Sequence, residues 1–164
     1  MDTPLLQHAP RGLLIDTNLF LLYVVGVFDR KFITRFKGTN RYSEADFELV
    51  HKLASQFHRI VTTPYVIAEL SNLSRVREPR RRKYFACLVE VLREAREVHI
   101  EKEALFRYDV LPFIGFTDAS LLEAARRGPY CVLTDDEKSI GPLLEYGCEV
   151  ATLKTLRGTE WFAN

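Results

Sequence analysis

The stretch Leu13-Leu14-Ile15-Asp16-Thr17-Asn18 decides how the chain is read. Three apolar residues predict a short buried strand. A carboxylate stands at its end, and Leu19-Phe20-Leu21-Leu22-Tyr23-Val24-Val25 follows at once as a helix-like apolar run. A strand that ends in an acid and turns straight into a helix puts that acid at the edge where open α/β sheets keep their ligands.

The same arrangement recurs outward from this stretch. Arg59 to Thr62 predicts a second strand, and Thr63-Pro64 then opens a helix, with Thr as cap and Pro in the first turn. Tyr130 to Leu133 predicts another strand, closed by the acidic turn Thr134-Asp135-Asp136-Glu137. Between them, Ser43 caps a helix whose apolar face is Phe47, Val50, Leu53, Ala54 and Phe57. Further helices are expected from Pro79 to about Arg96, over Glu101 to Arg107, over Asp118 to Arg127 behind a Thr117 cap, and after the acidic turn through Leu144 or Tyr146. Val98 to Ile100 and Glu149 to Ala151 are the remaining strand candidates. Tyr108 to Phe116 is expected to be a loop, and Gly26 to end the first helix. Short strands alternating with helices imply an α/β fold, a three-layer α/β/α sandwich around a central parallel sheet. Residues 1–11 are expected to be a loose arm, residues 12–164 a single domain, and the helical pair at about 64–96 to extend to one side.

Composition narrows the function classes. At 164 residues one domain is the natural size, and 47% apolar residues can build a substantial core. The formal net charge of +1 excludes a uniformly basic nucleic-acid binder but not a local basic groove. The longest apolar run, Leu19 to Phe28, is broken by Gly26 and too short to span a bilayer, so no membrane partner is expected. Met1 to Arg11 has no apolar core of a secretory signal. Cys87, Cys131 and Cys148 are widely spaced without a C-x-x-C pair, which predicts reduced thiols and a cytoplasmic location. The histidines show no pair at zinc-binding spacing.

Four acidic positions stand out: Asp16, Glu69, Asp118 and the pair Asp135-Asp136. Each taken singly has a structural explanation. Asp16 could cap the following helix, and Glu69, flanking an apolar stripe with Asn72 one turn on, could pair with an arginine. Asp118 could complement a helix dipole, and Asp135 and Asp136 could be turn residues. Taken together, three of the four fall at one edge of a doubly wound sheet. Carboxylates gathered there repel one another, and hard divalent cations relieve that repulsion. An all-oxygen set without Cys or His suits Mg²⁺ or Mn²⁺, ions that activate water and stabilise charge in phosphodiester cleavage. The geometric expectation is that the Asp16 carboxylate lies within one ion's reach of at least two of the others.

The series Leu14-Ile15-Asp16-Thr17-Asn18, Thr63-Pro64-Tyr65-Val66-Ile67-Ala68-Glu69-Leu70, Phe116-Thr117-Asp118-Ala119 and Leu133-Thr134-Asp135-Asp136 resembles the four acidic motifs of PIN domains, in particular the small stand-alone, VapC-like kind. The resemblance runs from about residue 12 to 155. It implies a PIN-like fold and a Mg²⁺- or Mn²⁺-dependent ribonuclease. Asp16, Glu69, Asp118 and Asp136 would be the catalytic metal ligands, in that order, because the last motif reads Thr-x-Asp. Thr134 would be the polar partner of Asp136, and Thr17 or Asn18 would orient the site. Many relatives are toxins of toxin–antitoxin pairs, so an antitoxin protein and a homodimer are implied partners beside the RNA substrate. A non-catalytic PIN-like module that binds RNA or protein is the rival reading.

Two basic segments are candidates for holding RNA. Arg75, Arg77, Arg80, Arg81 and Arg82 follow Glu69 and would be delivered near the site by its helix. Arg30, Lys31, Arg35, Lys37 and Arg41 are interleaved with Phe28, Phe32, Phe36 and Tyr42, which either stack on bases or form core.

Overall fold

The computed structural model describes residues 12–159. Five parallel strands form one sheet in the order β3-β2-β1-β4-β5: β1 is Leu13–Ile15, β2 Ile60–Thr62, β3 Arg96–Glu97, β4 Cys131–Leu133 and β5 Glu149–Ala151. Leu13 pairs with Ile60 on one side and Cys131 on the other, and Ile15 pairs with Leu133. Eight helices connect and cover the strands: α1 Thr17–Phe28, α2 Glu44–Gln56, α3 Pro64–Leu73, α4 Arg81–Glu94, α5 Lys102–Phe106, α6 Leu111–Arg127, α7 Glu137–Glu145 and α8 Leu153–Arg157. The result is the expected α/β/α sandwich. β1 lies at its centre with all three side chains fully buried, as an apolar run in an all-parallel sheet requires.

The connectivity sets up the site. The chain leaves β1 toward β2 and β3 on one side and returns to β4 and β5 on the other. β1 and β4 therefore flank the point where the strand order reverses, and a crevice opens beyond their carboxyl ends. Asp16 follows β1, and Asp135 and Asp136 follow β4.

Several local expectations change. Gly26 does not end α1, which runs to Phe28. A Cβ on Gly26 would stand 2.1 Å from the Phe47 ring, so the glycine lets α1 and α2 approach closely. α3 and α4, the helical pair expected to extend to one side, both pack on α1. The strand expected at Val98 to Ile100 lies two residues earlier, although the Val98 amide still bonds the Thr62 carbonyl at 2.8 Å. Most of the segment expected as a loop before Asp118 is helical from Leu111, with Pro112 in the first turn. Gly115 breaks that helix at φ 76° and ψ 175°, so the break, rather than a Thr117 cap, resets the chain before Asp118. α8 has no counterpart in the sequence reading. It is one short helix, with Thr152 as cap and Leu153 and Leu156 buried. The arm at residues 1–11 lies outside the described residues.

A buried carboxylate ties α5 to α6. Glu123 accepts from Arg107 at 2.7 Å, from Arg127 at 2.8 Å and from the Tyr108 hydroxyl. The three cysteines are free, and burial pushes the Cys131 thiol up to about 12. Among the described residues no helix is long and apolar enough to cross a membrane.

The Gly26–Phe47 contact yields a direct test. Gly26→Ala, although it should favour an isolated helix, forces the Phe47 ring out of place. It is expected to lower stability by about 1–3 kcal/mol in urea unfolding. Unchanged or raised stability would contradict the packing.

Candidate functional site

Asp16, Glu69, Asp118 and Asp136 come from four separate segments and line one cavity of about 410 Å³, together with Thr17, Asn18, Thr117 and the segment Ile114 to Phe116. Each acid is placed by a different local device. Asp16 is 3% exposed and caps α1: Oδ1 accepts from the Leu19 amide at 2.9 Å. Oδ2 accepts from the Thr134 hydroxyl at 2.6 Å and the Asp135 amide at 2.8 Å. The Thr134 hydroxyl in turn accepts from the Asp136 amide at 3.0 Å. One side chain thus links the end of β1 to the turn after β4.

Glu69 is half-buried on α3. That helix is fastened to α6 by a bond of 2.7 Å between the hydroxyls of Thr63, its cap, and Ser120. Ser120 stands two residues after Asp118, so this bond sets the spacing of the helices that carry Glu69 and Asp118. The Asp118 carboxylate accepts from the Ser139 hydroxyl on α7. Asp136 caps α7, with Oδ1 accepting from the Lys138 amide at 3.0 Å. Ser139 was not foreseen from the sequence; its place one turn into a helix capped by Asp136 is the signal that could have pointed to it.

The electrostatics follow from this crowding. Burial is the main cause that raises the Asp16 pKa, against the three donors that hold its carboxylate. Asp118 is pushed up to about 7, first by burial and then by the charges of Asp16, Asp136 and Glu69, with the Ser139 bond opposing. The repulsion expected among the four acids is therefore present, and Asp118 carries it.

The expected ion's-reach geometry is not present. Among the described residues no three His, Cys, Asp or Glu side chains form a group that could hold a metal ion. The physical reason is visible in the bonds: Asp16, Asp118 and Asp136 are each turned toward a donor of the protein itself, and mutual repulsion opposes closure. The donor set nonetheless suits a hard divalent cation, since four carboxylates share one cavity and Asp118 is uncomfortable as an anion. Thr17, a further residue of the cavity wall, is buried, and its hydroxyl has no hydrogen-bond partner among the described residues.

The supporting residues divide. Thr134 bridges Asp16 and Asp136, as described. Asp135 faces a neighbouring cavity of about 500 Å³ shared with Arg41, Tyr42 and Arg157, and its Oδ1 accepts from the Leu153 amide at 3.1 Å, which anchors α8. Asn18 touches both cavities. Asn72 is exposed and lines a different groove.

That groove is the larger one, about 1560 Å³, and brings parts of the two basic segments together: Arg35 and Lys37 line it with Arg75, Arg77, Arg80 and Arg81. α3 is common to both sites, with Glu69 in the acidic cavity and Ser71 to Leu73 in the groove. Arg80 is committed elsewhere, paired with Asp29 at 3.1 Å and placed over the Phe32 ring at 4.8 Å. Arg82 is exposed and does not line the groove. Phe36 is buried, and Phe28 and Phe32 pack half-buried against core rings including Tyr84, so these aromatics are core.

The Asp118 environment sets a pH dependence. An ordinary aspartate releases its proton near 4, whereas Asp118 in the folded chain holds it to about 7. The folded state therefore binds the extra proton over that window, and its stability falls as pH rises from about 4 to about 7. In excess chelator, Asp118→Asn is expected to remove that slope and to raise stability at pH 8 by up to about 4 kcal/mol, read by thermal unfolding. Parallel pH profiles of variant and wild type would refute it. In comparison with known proteins, the chain matches no family model and no curated protein sequence.

Proposed function

We propose that this protein is a Mg²⁺- or Mn²⁺-dependent endoribonuclease of PIN-like type. The observation that carries the reading is the meeting of Asp16, Glu69, Asp118 and Asp136, from four distant segments, in one cavity at the switch point of a parallel sheet. A bound divalent cation would supply Lewis-acid activation of water and offset charge on the phosphoryl group. Glu69, Asp118 and Asp136 would hold it, with Asp16 as the fixed ligand that three internal hydrogen bonds orient. The basic groove beside α3 would draw in the phosphate backbone through Arg35, Lys37, Arg75, Arg77 and Arg81. The choice of RNA, a toxin role, and an antitoxin or a second copy as partner rest on the motif resemblance alone.

A second reading has one observation in its favour. The carboxylates do not form a closed ligand group, which suits a PIN-like module that binds RNA in the basic groove without cutting it. Calorimetric titration with Mn²⁺ separates the two: a carboxylate-dependent site supports the enzyme, and none supports the module.

The cleanest test of catalysis is Glu69→Gln. Asp16→Asn removes an acceptor from buried donors and is expected to cost about 1–3 kcal/mol of stability as well as activity. Glu69 is half-buried and accepts no hydrogen bond from a described residue, so Gln should leave the fold intact and, by removing a charge that repels Asp118, should not lower its stability. Cleavage of RNA in Mn²⁺ is expected to fall on the order of 100-fold or more, above the loss typical of a group that only orients a ligand. Full activity in either variant, in excess chelator, or on DNA in place of RNA would overturn the proposal.

A further inference from the structure

The cavity beside the acidic one is lined by a different mixture of groups. Asn18 and Asp136 belong to both cavities, so the two adjoin. At about 500 Å³ the second cavity falls within the ~300–1,000 Å³ of small-ligand sites. Two guanidinium groups, Arg41 and Arg157, line it with three carboxylates, Asp135, Asp136 and Glu137. Most of these charges are already engaged. Arg157 pairs with Asp46 at 2.8 Å. Asp135 accepts from the Leu153 amide at 3.1 Å, and Asp136 from the Lys138 amide at 3.0 Å. One cation and one anion are left. Arg41 donates to the hydroxyl of buried Tyr42 at 3.0 Å, with its guanidinium 4.9 Å from the centre of that ring. It has no carboxylate partner among the described residues. The exposed Glu137 carboxylate, at the start of α7, has no hydrogen-bond or ion-pair partner among them either. The two therefore share one cavity without pairing with each other.

We propose that this cavity takes one nucleobase beside the scissile phosphate and selects guanine, with Arg41 donating to O6 and N7 and Glu137 accepting from N1–H and the N2 amino group. The inference rests on the nuclease reading and names the sequence feature that its site selects. Guanine alone among the four bases sets two acceptors side by side, O6 and N7, which match the fork of one guanidinium. It alone sets two donors side by side, N1–H and the N2 amino group, which match the two oxygens of one carboxylate. Adenine, cytosine and uracil place a donor next to an acceptor along the same edges, so one of the two charged groups would meet its own kind. The two guanine edges adjoin at O6, within reach of side chains that come from separate segments. A phosphate suits the cavity less well, because its carboxylates outnumber its guanidinium groups. A neutral base meets both signs.

The test uses a short fluorescent oligouridylate with one central guanosine, adenosine, inosine or 7-deazaguanosine. It is bound to the Glu69→Gln protein in Mn²⁺, so that the strand stays intact, and read by anisotropy. The guanosine strand should bind on the order of 10-fold more tightly than the adenosine strand. Inosine lacks the N2 amino group and 7-deazaguanosine lacks N7, so each should fall between the two. Arg41→Lys keeps the charge and loses the fork. It should weaken the guanosine strand by about 10-fold and the 7-deazaguanosine strand less. Glu137→Gln should weaken the guanosine strand more than the inosine strand. The adenosine strand should respond to neither variant. Both side chains are exposed, so thermal unfolding should not move. Equal affinity for guanosine and adenosine overturns the proposal, and that comparison needs no variant in the cavity. Equal weakening of every strand by either variant also overturns it, as the mark of a contact to phosphate. Mn²⁺-dependent cleavage by wild type that is indifferent to the central base sinks the guanine pocket alone. A guanosine preference in binding without any cleavage by wild type sinks the nuclease reading and leaves the pocket standing. Failure of every strand to bind overturns both.

Discussion

The Asp16 carboxylate is the junction on which the site depends. It satisfies free amides at two chain reversals, the start of α1 and the turn after β4, and it takes the Thr134 hydroxyl as well. A buried carboxylate without such donors would be costly. With them, it fixes the relative height of β1 and β4 at the edge where the sheet's two halves diverge. The bonds that make Asp16 a good cap also fix the direction of its carboxylate.

Around that fixed point the other acids are held by softer means. Asp118 has one hydroxyl partner, Asp136 one amide, and Glu69 none among the described residues. The arrangement carries unrelieved repulsion, expressed at Asp118. Proton and cation would compete for the same relief. A proton on Asp118 relieves that repulsion, and the proposed cation would relieve it in the same way.

The architecture was readable because its signals are local. Strand β1, the Ser43 and Thr63 caps and the turn after β4 each follow from a few adjacent residues, and the order of elements then dictates a parallel sheet. What escaped depends on distance. Gly26 looked like a terminator because its partner, Phe47, lies on another helix. Tyr108 to Phe116 looked like a loop because Pro112 and Gly115 punctuate it, although Pro112 suits a first turn and only Gly115 departs from helical geometry within the helix that starts at Leu111. α8 is too short for a periodic pattern and is tethered by the Asp135 and Asp46 side chains. The four acids could be picked out by their places after strands and on helices. Whether their carboxylates close on one point could not, because that is decided by rotamers and by donors such as Ser139 that lie far away in the chain. The arginine cluster shows the same limit: Arg80 pairs with Asp29, whereas its neighbour Arg81 has no described carboxylate partner and lies over the Phe85 ring.

The break at Gly115 separates two kinds of residue. After it come Asp118 and the buried run Ala119 to Ala124, whose replacement would disturb the core. Around and before it lie Phe106, Phe113 and Phe116, which rest mostly in solvent. These exposed side chains can therefore change from one homologue to another at little cost to folding, while the carboxylates remain where the sheet sets them. Natural drift there would reshape the mouth of the cavity without moving the carboxylates inside it.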